Sequence, residues 1–167
     1  EGSVISSATP DERPHLKAIS HRGNIAIISL EALEVWHQVG FLPEAFDCFR
    51  RHGIAVDLIS TSESSVTVSV DLSSNVSNLG AMEELANDLG RLCKVTIKPN
   101  CAAITLVGHR VRSVLHRLDS LYTVFQNLEV HLVSQSSNDL NLSFVVDAEH
   151  ACSIVQQLHE LLEQQFE

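Results

Sequence analysis

The chain has 167 residues, 44% of them hydrophobic and 19% charged, with a formal net charge of −10, which is enough for one ordinary domain or two small ones sharing a core. That acidity excludes a nucleic-acid backbone as partner, because such binding needs a clustered positive surface. No apolar run approaches a membrane span and no signal-peptide pattern opens the sequence, so a membrane partner is excluded and the expected setting is cytoplasmic.

Residues 1–23 are polar, carry Pro10 and Pro14, and read as a linker with little core of its own. Residues 24–36, NIAIISLEALEVW, favour a strand. Gly40 opens a turn into an amphipathic helix over residues 41–52, with Leu42, Ala45, Phe46 and Phe49 on one face. Gly53 stands where a helix C-terminus takes the left-handed conformation, and residues 54–59 follow as an imperfectly alternating strand. A strand over residues 65–71 and a helix over residues 79–92 come next. After Asn100 the chain offers strand, helix, strand, strand and helix, ending with strand 140–147 and helix 148–164.

The second run repeats the first. Residues 55–70 match residues 129–144 at an offset of 74, pairing Val56 with Val130, Leu58 with Leu132 and Ser60 with Ser134. The preceding helices match at an offset of 76, Phe49 with Phe125, so the second turn is two residues shorter. Two copies of one supersecondary unit is the plain reading. The second copy ends without its final strand, and residues 24–30 are available to fill that vacancy.

Chemistry-bearing patterns are sparse. Cys48, Cys93, Cys101 and Cys152 are widely spaced, lack the C-x₂-C pairing of metal sites, and read as free thiols. The nine histidines are scattered without ligand spacing, so no metal site is expected. No nucleophile elbow and no glycine-rich phosphate loop is present, so no catalytic residue is assigned. What stands out is asymmetry within the repeat. Asp57 and Glu63 match His131 and Ser137, so the first copy keeps two acids where the second has none. Solvated strand-end charges are common, but a purely structural role would serve both copies alike. Gly40 and the helix start beside it present free backbone N–H groups, a seat for a carboxylate.

The segments GFLPEAF (residues 40–46), HGIAVDLISTSE (residues 52–63) and SQSSNDLNLSFVV (residues 134–146) resemble the regulatory region of aspartate kinases. The resemblance runs from about Lys17 to Phe166. It implies an α+β fold of two ferredoxin-like βαββαβ ACT domains in tandem, the first inserted into the second. The implied division is a linker over residues 1–23 from an absent kinase domain, a first ACT domain over 32–98, and a second over 24–31 plus 99–167. It also implies an amino-acid effector held where ACT domains of two subunits meet. Amides around Gly40, Phe41 and Leu42 would take its carboxylate, and Asp57 its α-amino group. Glu63, with His37 nearby, would face the distal end, while Ala55, Val56, Thr61 and Ser62 complete the pocket. Lysine is the expected effector because it carries two ammonium groups, with a threonine sensor or an unliganded dimerisation module as alternatives. The implied parent is an enzyme that phosphorylates aspartate with ATP and Mg in its kinase domain. The present residues are expected to hold no cofactor, to be inactive alone, and to form a homodimer.

Overall fold

Two long antiparallel strands organise the protein. The computed structural model describes residues 15–31, 39–74, 80–114 and 119–166. Strand β1 runs over His15–Glu31 and strand β4 over Lys94–His109, and they pair along nearly their whole length. Between them lie helix α1 (Phe41–Arg51), strands β2 (Leu58–Thr61) and β3 (Ser65–Asp71), and helix α2 (Ala81–Leu89). After β4 come the short helices α3 (Val111–Val114) and α4 (Asp119–Val124), strands β5 (Val130–Gln135) and β6 (Asn141–Asp147), and helix α5 (Ala148–Phe166). All six strands form one sheet in the order β2-β3-β1-β4-β6-β5.

Each long strand changes role midway. The changeover falls at Asn24 (φ 58°) in β1 and at Asn100 (φ 60°) in β4, a left-handed conformation that asparagine tolerates better than most residues. The β1–β4 ladder shifts register beside Asn24. Beyond it, Ile25 to Glu31 of β1 pair with both β3 and the first part of β4. Before it, His15 to Arg22 pair with Ala103 to His109, beside the strands of the second half.

This differs from the sequence reading in two ways. Residues 15–22, read as linker, are a strand, and they occupy the position expected for residues 24–30. Those later residues belong instead between β3 and β4. The physical reason is burial. Ser20, His21 and Arg22 are exposed and Ile19 only half-buried, whereas Ile25 to Ile28 are all buried. The outer half of the strand therefore lacks the apolar signal that marks the inner half.

Helices cover one face of the sheet. In the first half, Ile28, Leu30, Val66 and Val68 pack under Phe41, Phe49, Leu85 and Leu89. In the second half, Ile104, Leu106, Phe144 and Val146 pack under Leu121, Phe125, Ile154 and Leu158. The opposite face has a small core of its own, Ile25, Ile27, Cys101, Leu132 and Val145. The outermost strands β2 and β5 touch each other, so the sheet curls around that small core. Burial on both faces explains why β6 reads as a near-continuous apolar run rather than an alternation.

Local sequence signals fix the helix ends. Gly53 has φ 66°, Gly53 N–H donates to the Arg50 carbonyl and Ile54 N–H to the Phe49 carbonyl, a Schellman arrangement with Ile54 packed into the same core as Phe49. Ile54 and Val56 are thereby spent on helix packing, and the ladder of β2 begins only at Leu58, later than the strand expected over residues 54–59. In the second half Asn127, also at φ 66°, takes the place of Gly53.

Candidate functional site

The turn before α1 is built by Gly40, whose φ of 106° favours glycine and lets the chain enter the helix sharply. The Gly40 carbonyl accepts from Glu44 N–H, and among the described residues no side chain caps the helix. The first-turn amides of α1 are thus left for solvent or a ligand. Phe41 is buried in the core of the first half while Leu42 is 40% exposed, so the two side chains share no common face. His37 lies outside the described residues.

The remaining expected residues lie along the β2 edge. Ala55 is exposed and Val56 packs against the core of the first half. Asp57 N–H donates to the Ser69 carbonyl at 2.9 Å, tying the start of β2 to β3. At the other end Thr61, Ser62 and Glu63 are exposed, with Ser62 N–H bound to the Ser65 carbonyl at 2.8 Å in the hairpin. Asp57 and Glu63 therefore bracket one edge strand, with Leu58–Thr61 between them.

One partner of this site was not legible in the sequence. Arg22 Nη1 lies 3.3 Å from Asp57 Oδ2 and 3.9 Å from Asp71 Oδ2, so a single guanidinium serves two carboxylates. The Asp71 carboxyl is held below its ordinary value chiefly by the backbone N–H of Ser73, with Arg22 a lesser contributor. Arg22 and Asp57 also line a cavity of about 260 Å³ on the helix-free face, whose walls include Ser20, Ser69, Thr105 and Ser143. Three of its hydroxyls are paired. Ser69 Oγ accepts from Leu58 N–H at 3.0 Å, and Thr105 and Ser143 lie 2.8 Å apart.

The second half fills the matched positions differently. Lys98, the counterpart of Arg22, puts Nζ 3.0 Å from Asp147 Oδ1, and His131 Nε2 lies 3.1 Å from the same oxygen. The hydrogen bond from Lys98 is the main reason the Asp147 carboxyl sits below its ordinary value, with His131 adding to it. The same contact raises the Lys98 ammonium above its own. The match of Glu63 with Ser137 does not survive the geometry. The β2–β3 hairpin spans residues 62–64 and the β5–β6 hairpin residues 136–140, so the offset returns to 76 and β3 matches β6 end to end. The longer hairpin holds an acid of its own, Asp139, whose carboxylate accepts from Arg112 N–H at 2.7 Å at the start of α3.

A larger cleft of about 520 Å³ lies between α1 and α2, with Pro43 and Glu44 of the first turn of α1 on its wall and none of the acids of the β2 edge. Most of its charges pair with one another: Arg51 reaches Asp88 at 3.1 Å and Asp47 at 3.2 Å, and Arg91 reaches Asp88 at 3.3 Å. It is a salt-bridged groove rather than a waiting site. No helix among the described residues is long and apolar enough to cross a membrane.

No protein-family model matches the chain. It is 29% identical over 163 residues to the lysine-sensitive aspartokinase 3 of Escherichia coli, covering 96% of this chain and 36% of that protein. The structure superposes on E. coli aspartokinase III in complex with lysine and aspartate (T-state) with a TM-score of 0.76 and 30% identity, over 95% of this chain and 35% of that one. It also shares its fold with the C-terminal regulatory domain of aspartate kinase from Porphyromonas gingivalis, at a TM-score of 0.70 and 22% identity, over 87% of this chain and 96% of that domain. The chain thus spans about a third of the length of its E. coli relative. It is homologous to the aspartokinases and matches their C-terminal regulatory part.

Proposed function

We propose that this aspartokinase homologue is an allosteric region that binds lysine where two copies of the chain meet, and that its two halves are ACT domains. The observation that carries the reading is the pair of carboxylates bracketing β2. Asp57 and Glu63 are six residues apart, with strand Leu58–Thr61 and Ser62 between them, at most about 20 Å along the chain at a rise of roughly 3.3 Å per residue. Two carboxylates along one strand edge suit a ligand with an ammonium group at each end. Threonine has one ammonium and would leave a second carboxylate desolvated and unpaired. The uncapped start of α1 at Phe41 and Leu42 supplies the anion seat for the ligand's own carboxylate.

Dimerisation follows from the same edge. β2 and β5 each have an open side in the ladder, and they carry the exposed apolar residues Ile59 and Val133. Edges of that kind are covered by a partner. In the parent enzyme, a separate domain would phosphorylate aspartate with ATP and Mg. Effector binding would act on it by favouring an inhibited arrangement that binds lysine more tightly than the active one.

Calorimetric titration with lysine and threonine, alongside sedimentation, tests this reading. Lysine binds a dimer, and Glu63→Gln weakens lysine while leaving an analogue without the ε-amine nearly unaffected. Tighter binding of threonine would overturn the assignment. A dimer that binds neither amino acid would instead support the alternative suggested by Ile59 and Val133, an unliganded dimerisation module.

A further inference from the structure

Three neighbouring strands of the second half bring a thiol, an imidazole and a carboxylate to one point. Cys101 on β4 stands directly opposite Asp147 on β6 in their ladder. The register of β5 against β6 shifts between Val130 and Leu132, and His131 is the extra residue of that bulge. Bulges re-aim side chains. Here the His131 ring is turned inward, with its side chain 6% exposed and Nε2 3.1 Å from Asp147 Oδ1. The Cys101 sulfur, a His131 ring nitrogen and an Asp147 oxygen all lie within 4.8 Å of one another.

Two further charges complete the surroundings. Glu129 Oε1 lies 3.7 Å from His131 Nδ1, and Lys98 Nζ lies 3.0 Å from Asp147 Oδ1 and 3.7 Å from Glu129 Oε2. The Lys98 ammonium shows that this corner already favours a cation. Burial is graded: Cys101 is buried, Asp147 half-buried and Glu129 exposed, so an ion can arrive from the carboxylate side. Nothing comparable exists at the matched positions of the first half, which are Ile25, Asp57 and Asp71.

We propose that Cys101, His131 and Asp147, with Glu129 as the fourth ligand, form a binding site for a divalent ion of the zinc class. Sulfur, nitrogen and oxygen donors in a set of four suit that ion, at bond lengths of about 2.0–2.3 Å. Three of the donors already lie within 4.8 Å of one another, and the exposed Glu129 side chain swings from beside His131 Nδ1 to supply the fourth. On binding, the Cys101 thiol gives its proton to solvent and becomes a thiolate, while His131 ligates as the neutral ring. Asp147 exchanges its contact with Lys98 for the ion, and Lys98 keeps its proton beside Glu129. Charge then balances, since one thiolate and two carboxylates face one divalent ion and one ammonium. With all four ligands from the protein the site is closed and structural. It pins the edge strand β5 to β6 and β4, and it is independent of any amino-acid effector.

The test uses the whole chain, stripped with a chelator and titrated with zinc and with cobalt. One equivalent of cobalt gives the thiolate charge-transfer band and visible absorption of a four-coordinate ion. Zinc raises the thermal midpoint. Cys101→Ser abolishes the band and the thermal shift. His131→Gln and Asp147→Asn weaken binding by more than the roughly 10–100-fold typical of losing an outer-sphere partner, and Cys152→Ser, at an exposed thiol, changes nothing. Circular dichroism confirms that each variant is folded; if Cys101→Ser is not, His131→Gln, at the bulge, carries the test alone. No thiolate band in the wild-type chain, a band that persists without Cys101, or undiminished binding in His131→Gln would overturn the site.

Discussion

Where the first half of the sheet carries Asp57, the second carries His131, and the two neighbourhoods place their charges differently. Around Asp57 one guanidinium, Arg22, is divided between two carboxylates, leaving negative charge in excess. Around His131 the Lys98 ammonium and an imidazole converge on Asp147, with the exposed Glu129 3.7 Å from each of them. The scaffold beneath is shared in detail. Ser29 with Thr67 and Thr105 with Ser143 form matched hydroxyl pairs, Asn24 and Asn100 share a left-handed conformation, and β3 and β6 end on Asp71 and Asp147. The duplicated backbone therefore holds chemistry that one or two side chains can redirect. In the first half the strand-edge acid Asp57 must share its cation with Asp71, whereas in the second an imidazole stands in its place and joins the cation on Asp147.

The largest expected effects test whether the halves are separable. Leu30 and Leu106 occupy matched core positions, and Phe144 stacks on Phe125 with ring centroids 4.6 Å apart. Leu30→Ala or Leu106→Ala is expected to cost about 2–5 kcal/mol and Phe144→Ala about 3–5 kcal/mol. Because both halves share β1 and β4, denaturant unfolding followed by circular dichroism stays a single transition in every variant. Two separated transitions would show that the halves unfold independently.

Ligand binding sharpens the comparison next. Asp57→Asn removes a charge-assisted contact worth about 1.5–3 kcal/mol, a loss of more than tenfold in lysine affinity. His131→Gln, at the matched position, leaves lysine affinity unchanged by calorimetry. Equal losses in the two variants would break the distinction between the halves.

A smaller contrast lies at the helix ends. Gly53 and Asn127 share φ 66°. Gly53→Ala is expected to cost about 1–2 kcal/mol, since a β-carbon is strained there, while Asn127→Gly is neutral to slightly stabilising. Thermal melts of both variants read the difference.

The smallest effect is electrostatic. The Asp147 carboxyl is lowered in the folded state, so its contribution is present above the unfolded aspartate value of about 3.9 and is lost as pH falls through its folded value. Lys98→Met removes the main cause of that lowering and shifts the acid-unfolding limb to higher pH. Arg22→Met shifts it less through Asp71, whose chief partner is the Ser73 amide. Both shifts are modest, because the pairs are at the surface. A larger shift for Arg22→Met would reverse the assignment.

The elements that a few neighbouring residues specify were legible in the sequence. The apolar face of α1, the glycine stop at Gly53, the two strand–hairpin–strand units and their repetition all follow from short-range periodicity and backbone sterics. The match of Asp57 with His131 was legible too, because β2 and β5 keep one offset. Carrying that offset through the hairpin failed. An alternating apolar pattern looks alike after a two-residue slip, and only the ladder shows that Leu58 faces Ser69 while Leu132 faces Val145.

What tertiary structure alone decided was partnership between residues far apart in the chain. Strand periodicity sets which face a side chain takes but not which strand lies beside it, so nothing local could assign residues 15–22 to the edge of the second half. Arg22 meets Asp57, and Cys101 meets His131 and Asp147, only once the curled sheet places their strands side by side. Short-range patterns were enough for a duplicated α+β unit and for Asp57, the acid that distinguishes its copies. The pairing of the long strands decided which charges meet, because that register is fixed by burying both faces of the sheet at once.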